Sequence, residues 1–145
     1  IDFVQDNLSF NVKKYTLRGL HYQKPPFAQD KLVIVLKGKI LDVFVDVRLG
    51  SPNFGNWGSQ TLNENENNSL LIPKGFLHGF ITLSSNTLIS YKCSNFYHPN
   101  YEGIIRYNDP LLNIKWSSKN IDFIISDKDK KGDFFKDFKS PFNYN

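Results

Sequence analysis

The chain is divided into short apolar runs by closely spaced turn residues, and no segment shows the long 3.6-residue period of an amphipathic helix. The apolar runs are rich in valine, isoleucine and leucine, and they predict strands at 31–37, 39–47, 69–72, 80–83 and 87–93. Turn-forming residues separate them at 51–58, 63–68, 84–86 and 108–110. This spacing predicts an all-β fold, either an antiparallel sandwich or a barrel.

A single glycine, the C-terminal tail and the chain length refine this prediction. A single residue, Gly38, separates the runs 31–37 and 39–47, and we expect these two strands to form a hairpin. The tail from Ile121 mixes a short apolar run with charged residues and predicts one or two helical turns. With 145 residues the chain suits one domain and is too short for two ordinary ones, so we expect a single domain over residues 1–145.

Composition excludes several classes of protein. Hydrophobic residues make up 40% of the chain, yet no apolar run approaches the roughly 20 residues that a membrane-spanning helix needs. The net charge is +4, but the basic residues are scattered, and no basic stripe with interleaved aromatics predicts a nucleic-acid partner. One cysteine, Cys93, rules out an internal disulfide framework and favours a reducing compartment, so we expect a cytoplasmic protein.

The strand predicted at 39–47 carries two acidic residues on one face. Its odd-numbered interior positions hold leucine and valine and form an apolar face, because side chains alternate along a strand. Asp42 and Asp46 share the opposite face with Ile40 and Phe44. Carboxylates are costly to bury without partners. This face is therefore either exposed to water or lines a polar cavity that supplies hydrogen-bond donors.

Three histidines are further candidates for chemistry: His21, His78 and His98. The segment 73–78 has the spacing Pro-x-Gly-x-x-His, which is similar to the second motif of the cupin superfamily, a β jelly roll. Cupin metal sites usually also carry a His-x-His pair and a glutamate, but the position two beyond His21 is Gln23. We therefore expect no metal centre, and we expect His98 to lie at the surface.

Seven segments occur in the order found in one family of sugar-nucleotide enzymes: RGLHYQ (18–23), AQDKLV (28–33), DVFVDVR (42–48), GSPNFG (50–55), IPKGFLHGF (72–80), LISYKC (88–93) and SDKD (126–129). From about residue 3 to residue 129 the chain resembles the dTDP-4-dehydrorhamnose 3,5-epimerases. The resemblance implies a cupin, or double-stranded β-helix jelly roll, with a short C-terminal helical segment. It also implies a cytoplasmic homodimer that needs no metal or cofactor. The substrate is a dTDP-4-keto-6-deoxy sugar, inverted at C3 and C5.

The resemblance also assigns roles residue by residue. The catalytic base corresponds to His21, its acidic partner to Asp129, the proton-donating tyrosine to Tyr91 and the lysine of the catalytic set to Lys31. The family's substrate-binding residues correspond to Gln5, Asp6, Asn7, Arg18, Asp42, His78, Tyr97, Glu102 and Lys128.

These residue types suit the removal and return of a proton next to a ketone. An ordinary histidine pKa near 6.5 fits a base at neutral pH, and an aspartate on the other ring nitrogen fixes the tautomer. A lysine ammonium would stabilise the enolate oxygen, and a tyrosine on the opposite side would return the proton. The guanidinium of Arg18 would hold a phosphate oxygen or a sugar hydroxyl, whereas His78 is either a substrate contact or a structural partner of Asp42.

Three alternatives stay open: inversion at C3 only, a non-catalytic module that binds a sugar nucleotide, and a metal-dependent cupin such as an oxygenase or isomerase. The chain contains no methionine and begins at Ile1, which is too large a second residue for normal removal of an initiator methionine. We therefore expect that the natural start is missing, together with a family N-terminal segment that helps to bind the nucleotide and reaches across the dimer.

Overall fold

The computed structural model describes residues 1–144, most of which lie in strands or short connections. The strands are β1 (Gln5–Asn11), β2 (Thr16–Gln23), β3 (Lys31–Lys37), β4 (Lys39–Asp46), β5 (Arg48–Leu49), β6 (Trp57–Asn63), β7 (Ser69–Ile72), β8 (Phe76–Thr82), β9 (Thr87–Cys93), β10 (Glu102–Ile104), β11 (Ile124–Ile125) and β12 (Phe142–Asn143). The helical segments are one turn, α1 (Asp127–Lys130), and 3₁₀ turns at Pro99–Tyr101 and Phe135–Asp137. Over residues 1–144 no helix has the length and apolar character needed to cross a membrane.

Two sheets face each other in a jelly roll. The first sheet has the order β1-β9-β3-β7 and the second has the order β10-β2-β8-β4-β6. Neighbouring strands in both orders run antiparallel, while the short β11 joins β2 in parallel. Because strands that follow each other in sequence, such as β3 and β4, lie in different sheets, the chain crosses repeatedly between the layers. The predicted all-β, cupin-type jelly roll with a short C-terminal helical segment is confirmed.

The predicted hairpin of β3 and β4 is wrong. β3 pairs with β7 and β9, whereas β4 pairs with β6 and β8. The single residue between them is too short for a hairpin loop, which needs at least two. Gly38 instead turns the chain from one sheet to the other with a φ of +84°, and a Cβ there would lie 2.4 Å from the hydroxyl oxygen of Ser84.

Two apolar clusters hold the layers together. One lies between the two sheets and consists of Val33, Val35, Ile40, Leu62, Ile72, Phe80 and Ile89. The other uses the opposite faces of β2, β4 and β8 and packs against Leu112, Trp116 and Phe142 from the segment after β10. The C-terminal third of the chain therefore covers the outer face of the second sheet.

The acidic face of β4 is buried among hydrogen-bond donors. Asp46 accepts hydrogen bonds from the guanidinium of Arg48 at 2.9 and 2.6 Å and from the hydroxyl of Ser51 at 2.7 Å. Burial alone would raise the pKa of Asp46, but these bonds and the charge of Arg48 lower it from 3.8 to about 2. Asp42 is buried as well, so this face is not exposed to water, and protein side chains supply its hydrogen-bond donors.

Asp46 predicts a specific loss of stability in acid. A carboxylate whose pKa is depressed in the folded state stabilises the protein above its ordinary pKa, and this contribution disappears as the pH falls toward the folded-state value. We expect Asp46 to account for about 2 kcal/mol of the fall in the free energy of unfolding between pH 5 and pH 2. Urea unfolding at several pH values should show that part of the decline missing in Asp46→Asn. It should remain in Asp2→Asn, which alters an exposed carboxylate. An equally steep decline in Asp46→Asn would contradict the assignment.

Candidate active site

A pocket of about 600 Å³ opens between the two sheets. Its walls come from β1, β3 and β9 of the first sheet and from β2 and β8 of the second, and its rim comes from β10 and α1. Ten of the predicted site residues line it: Gln5, Asn7, Arg18, His21, Lys31, His78, Tyr91, Tyr97, Glu102 and Lys128. Residues far apart in sequence therefore meet in one cavity, while Asp6, Asp42 and Asp129 lie outside its lining.

A β-bulge in β2 places Arg18 and His21 on the same wall. Between these two residues β2 advances three positions while its partner β8 advances two. In a regular strand, residues three apart face opposite sides, so the extra residue turns both side chains into the pocket. The bulge contains Gly19, whose φ is +114° and whose missing Cβ would lie 2.7 Å from the Cα of Gly79. A larger residue would therefore force the two strands apart.

His21 is paired with a buried carboxylate. Its Nε2 lies 2.6 Å from Oδ1 of Asp129, and the other carboxylate oxygen accepts the backbone N–H of Gly19 at 3.1 Å. The hydroxyl of Ser126 accepts the N–H of Asp129 and so caps α1 at its N-terminus. This places the predicted base and its predicted acidic partner in direct contact.

The environment of Asp129 favours its ionised form. Burial alone would raise the pKa of Asp129, but the hydrogen bond and charge of His21, together with the N–H of Gly19, lower it below its usual value. An ionised carboxylate beside Nε2 keeps a proton on that nitrogen. Nδ1 of His21 is then left to accept a proton from a ligand in the pocket.

A second histidine–aspartate pair lies beside the first. His78 is the β8 residue opposite His21, and its Nε2 lies 2.9 Å from Oδ2 of the fully buried Asp42. Asp42 belongs to β4 and lies behind His78, outside the pocket lining. His78 both pairs with Asp42 and lines the cavity, so its two predicted roles are compatible.

Lys31 and Tyr91 stand on the wall formed by the first sheet. Burial lowers the pKa of Lys31, and nearby Cys93, Glu102 and Asp42 act in the opposite direction. Burial raises the pKa of Tyr91, with Arg18 opposing the shift. A tyrosine with a raised pKa retains its proton at neutral pH. The pocket therefore has a paired imidazole on one wall and a protonated phenol on the other.

The rim residues bond to one another. The ammonium of Lys128 lies 2.5 Å from a carboxylate oxygen of Glu102, and the hydroxyl of Tyr97 donates to the same oxygen at 3.2 Å. The bond to Glu102 raises the pKa of Lys128. The side-chain carbonyl of Gln5 accepts the backbone N–H of Tyr97 at 2.8 Å, and its amide donates to Asn7. These contacts fix the loop that carries Tyr97 at the mouth of the pocket.

Asp6, predicted to bind the substrate, lies at the surface of the protein. Gln5 and Asn7 face the pocket, and the residue between them must face the other side of β1. Asp6 is exposed there and lies 2.9 Å from the ammonium of Lys92. Three consecutive strand residues do not share one face, so Asp6 lies outside the lining to which Gln5 and Asn7 belong.

Sequence reasoning missed the part played by Gln23. Its amide donates to the carbonyl of Phe96 at 2.9 Å, and its side-chain oxygen accepts the N–H of His98 at 2.8 Å. Gln23 therefore holds the loop on either side of Tyr97, and its place at the end of the RGLHYQ segment was the available signal. Within residues 1–144, no group of three histidine, cysteine or acidic side chains is arranged to hold a metal ion.

Comparisons with known proteins point to one family. A family model described as dTDP-4-dehydrorhamnose 3,5-epimerase matches residues 1–137. The enzyme of that name from Shigella flexneri is 44% identical over 137 residues, which are 94% of this chain and 74% of that protein. Its counterpart from Sinorhizobium fredii is 43% identical over 129 residues, 89% of this chain and 66% of that protein. This chain thus spans about two thirds to three quarters of their length.

A solved structure extends the comparison to three dimensions. The dTDP-6-deoxy-D-glucose-3,5-epimerase from Legionella pneumophila was crystallised in complex with dTDP-4-keto-L-rhamnose. It is 42% identical to this chain and matches it with a TM-score of 0.92, covering 99% of this chain and 76% of the Legionella chain. The similarity therefore extends over the sheets that build the pocket as well as over the sequence.

The short contact between His21 and Asp129 predicts a protected proton on the imidazole. We expect proton NMR to show an Nε2–H resonance of His21 that lies far downfield and exchanges slowly with water, because a short charge-assisted hydrogen bond deshields and holds the proton. Asp129→Ala should abolish this resonance, whereas Asp127→Ala, in the same helical turn but exposed, should leave it in place. An unchanged resonance in Asp129→Ala would show that the pairing does not form in solution.

Proposed function

The chain belongs to the dTDP-4-dehydrorhamnose 3,5-epimerase family, and we propose that its pocket binds a dTDP-4-keto-6-deoxy sugar and inverts C3 and C5, the two carbons beside the ketone. The observation that carries this proposal is the position of His21 and Tyr91 on opposite walls of one pocket. Inversion requires a proton to leave one face of a carbon and to return to the other. The shared core between the two sheets supports a single epimerase domain.

We assign the removal of the proton to His21. Nδ1 accepts the proton from C3 or C5, and the electron pair of the broken C–H bond stays with the sugar. Asp129 stabilises the imidazolium that results. General base catalysis of this kind contributes about 10²–10⁴-fold to the rate. Because Asp129 lies behind the ring and outside the lining, it orients the base without contacting the sugar.

Removal of the proton leaves a negative charge on the ketone oxygen, and we assign its stabilisation to Lys31. Lys31 lies in β3, and its partly buried side chain lines the pocket wall, where its ammonium can face the oxyanion. Loss of one such donor typically costs about 2.7–4 kcal/mol of transition-state stabilisation. His78, held by Asp42 on the facing sheet, is placed to contact the same part of the sugar.

We assign the return of the proton to Tyr91. Its raised pKa keeps the phenol protonated until the enolate is present, and it approaches from the first sheet while His21 approaches from the second. Donation from that side inverts the carbon. Arg18 and the rim residues Tyr97, Glu102 and Lys128 are then available to hold the nucleotide diphosphate and the sugar hydroxyls.

Solvent exchange tests this function and separates the two catalytic roles. The wild-type protein, with dTDP-4-keto-6-deoxyglucose in D₂O and no added metal, should replace the hydrogens on both C3 and C5 by deuterium, as NMR would show. His21→Ala should slow exchange at both carbons by at least about 10²-fold. Tyr91→Phe should lose inversion but still exchange hydrogen on the His21 side, and Tyr144→Phe, away from the pocket, should behave as wild type.

The other outcomes are equally informative. Exchange at C3 alone would identify a C3-only epimerase, and dTDP binding without exchange would identify a binding module. Activity that a chelator removes and a metal restores would revive the metal-dependent cupin. Unchanged exchange in His21→Ala would overturn the assignment of the base.

We also propose that the protein is a homodimer. The outer face of the first sheet carries apolar side chains with no covering layer among residues 1–144, and four of them are 45–70% exposed: Leu8, Phe10, Leu36 and Leu71. Val12, directly after β1, is 60% exposed. Apolar surface on one sheet face is typical of an interface between subunits. β1 is also an edge strand, and Leu8 and Phe10 border the pocket, so a second copy on this face would contact the site.

Light scattering can test this interface. Leu36→Asp places a charge within the proposed contact, and we expect it to convert the wild-type dimer to a monomer that keeps its β circular-dichroism spectrum, because a buried unpaired carboxylate is costly. Leu111→Asp, at a residue that is 66% exposed against 50% for Leu36 but lies on the C-terminal segment, should remain dimeric. A monomeric wild type, or a dimeric Leu36→Asp, would contradict the proposal.

A cytoplasmic location completes the proposal. The single cysteine, Cys93, is a free thiol buried beside Lys31 in the pocket. Burial raises its pKa, so it is held in the protonated, unreactive form. A free thiol in the binding site is suited to a reducing compartment.

A further inference from the structure

We propose that Asn11 is a positioning residue that fixes the guanidinium of Arg18, so that both terminal nitrogens of Arg18 are presented to the diphosphate of the ligand. This inference rests on the proposed function, because the sugar nucleotide supplies the anion. It adds to that function a residue that does not itself line the pocket.

The hydrogen bonds of Asn11 define its orientation. Asn11 is the last residue of β1 and is only 2% exposed. Its Nδ2 donates to the hydroxyl of Ser9 at 3.2 Å and to the carbonyl of Ser9 at 3.4 Å. The amide oxygen therefore points the other way, where it accepts the Nε–H of Arg18 at 2.9 Å. A buried amide that is held on both sides cannot rotate without losing these bonds.

Arg18 is left with its terminal nitrogens available. Its side chain is exposed and lines the pocket, and within residues 1–144 only Nε has a hydrogen-bond partner. A guanidinium presents its donors in a rigid fork that matches two oxygens of a phosphate. Anchoring Nε fixes the plane of this fork and leaves the Nη groups free to bind an anion.

The choice of a neutral acceptor matters for this role. Arg48, by comparison, donates from Nε and Nη2 to the carboxylate of Asp46, which satisfies its charge within the protein. The amide of Asn11 holds Arg18 without cancelling its positive charge. The side chain is thus both ordered and still cationic, which lowers the entropic cost of binding an anion.

The same bond also links the two sheets, since Asn11 ends β1 of the first sheet and Arg18 lies in β2 of the second. A purely structural link would stabilise the fold whether or not Arg18 binds a ligand. If Asn11 instead positions Arg18, its loss would weaken ligand binding, and it would do so only when Arg18 is present. A double-mutant cycle distinguishes the two.

The cycle uses Asn11→Leu, which keeps the branched shape but removes the acceptor, Arg18→Met, which removes the guanidinium, and the double variant. Calorimetry would measure the Kd for dTDP, and the epimerase assay would give KM and kcat. We expect Asn11→Leu to weaken dTDP binding and raise KM by about 3- to 10-fold, the usual cost of ordering one side chain. We expect kcat to change by less than about twofold, because the bond acts on binding. In the Arg18→Met background, Asn11→Leu should have no further effect.

The outcomes of this cycle distinguish the possible roles of Asn11. Equal weakening in both backgrounds would assign Asn11 to the fold alone, and unchanged dTDP binding in Asn11→Leu would overturn its link to the ligand, while the proposed function would stand in both cases. A wild-type protein that neither binds dTDP nor turns over the sugar nucleotide would instead refute the proposed function, and this inference with it. If Asn11→Leu fails to fold, Asn11→Ala, which also lacks the acceptor but adds no bulk, completes the same cycle.

Discussion

The extra residue in β2 is the constraint on which the pocket depends. It turns Arg18 and His21 to the same side, although their spacing would separate them in a regular strand. It also directs the N–H of Gly19 to Asp129, so one local irregularity both aims the histidine and holds its carboxylate. The close approach of Gly19 to Gly79 leaves no room for a side chain. The geometry of the site is therefore set by backbone packing between β2 and β8.

The polar groups of the pocket share one design. Four side chains that line the pocket are each held from behind or from the side by a partner: His21 by Asp129, His78 by Asp42, Arg18 by Asn11 and Lys128 by Glu102. These partners restrict rotation, and the surrounding apolar cluster shifts the pKa values of Lys31 and Tyr91 through burial. Orientation and proton affinity are thus established before any ligand enters.

The sequence predicted those strands whose residues are mainly apolar and β-branched, and the limits of β3, β7 and β9 agree with the structure. It did not predict β1 or β2, because their pocket-facing positions carry amides, arginine and histidine in place of the β-branched and aromatic residues that are enriched in strands. The sequence grouped Asp6 with Gln5 and Asn7, whereas the alternation of side chains along β1 places Asp6 on the opposite face. The contact of His21 with Asp129 joins residues 108 positions apart, so family resemblance indicated it and no local pattern did.

The position of Asp129 in the chain has a consequence for biosynthesis. All strands of the two sheets except the short β11 precede residue 105, whereas Asp129 lies on a single helical turn after them. On the ribosome, where the chain emerges from its N-terminus, the strands of the two sheets therefore leave the exit tunnel before this carboxylate does. The carboxylate that holds the ring of His21 is therefore synthesised after all the strands that form the walls of its cavity.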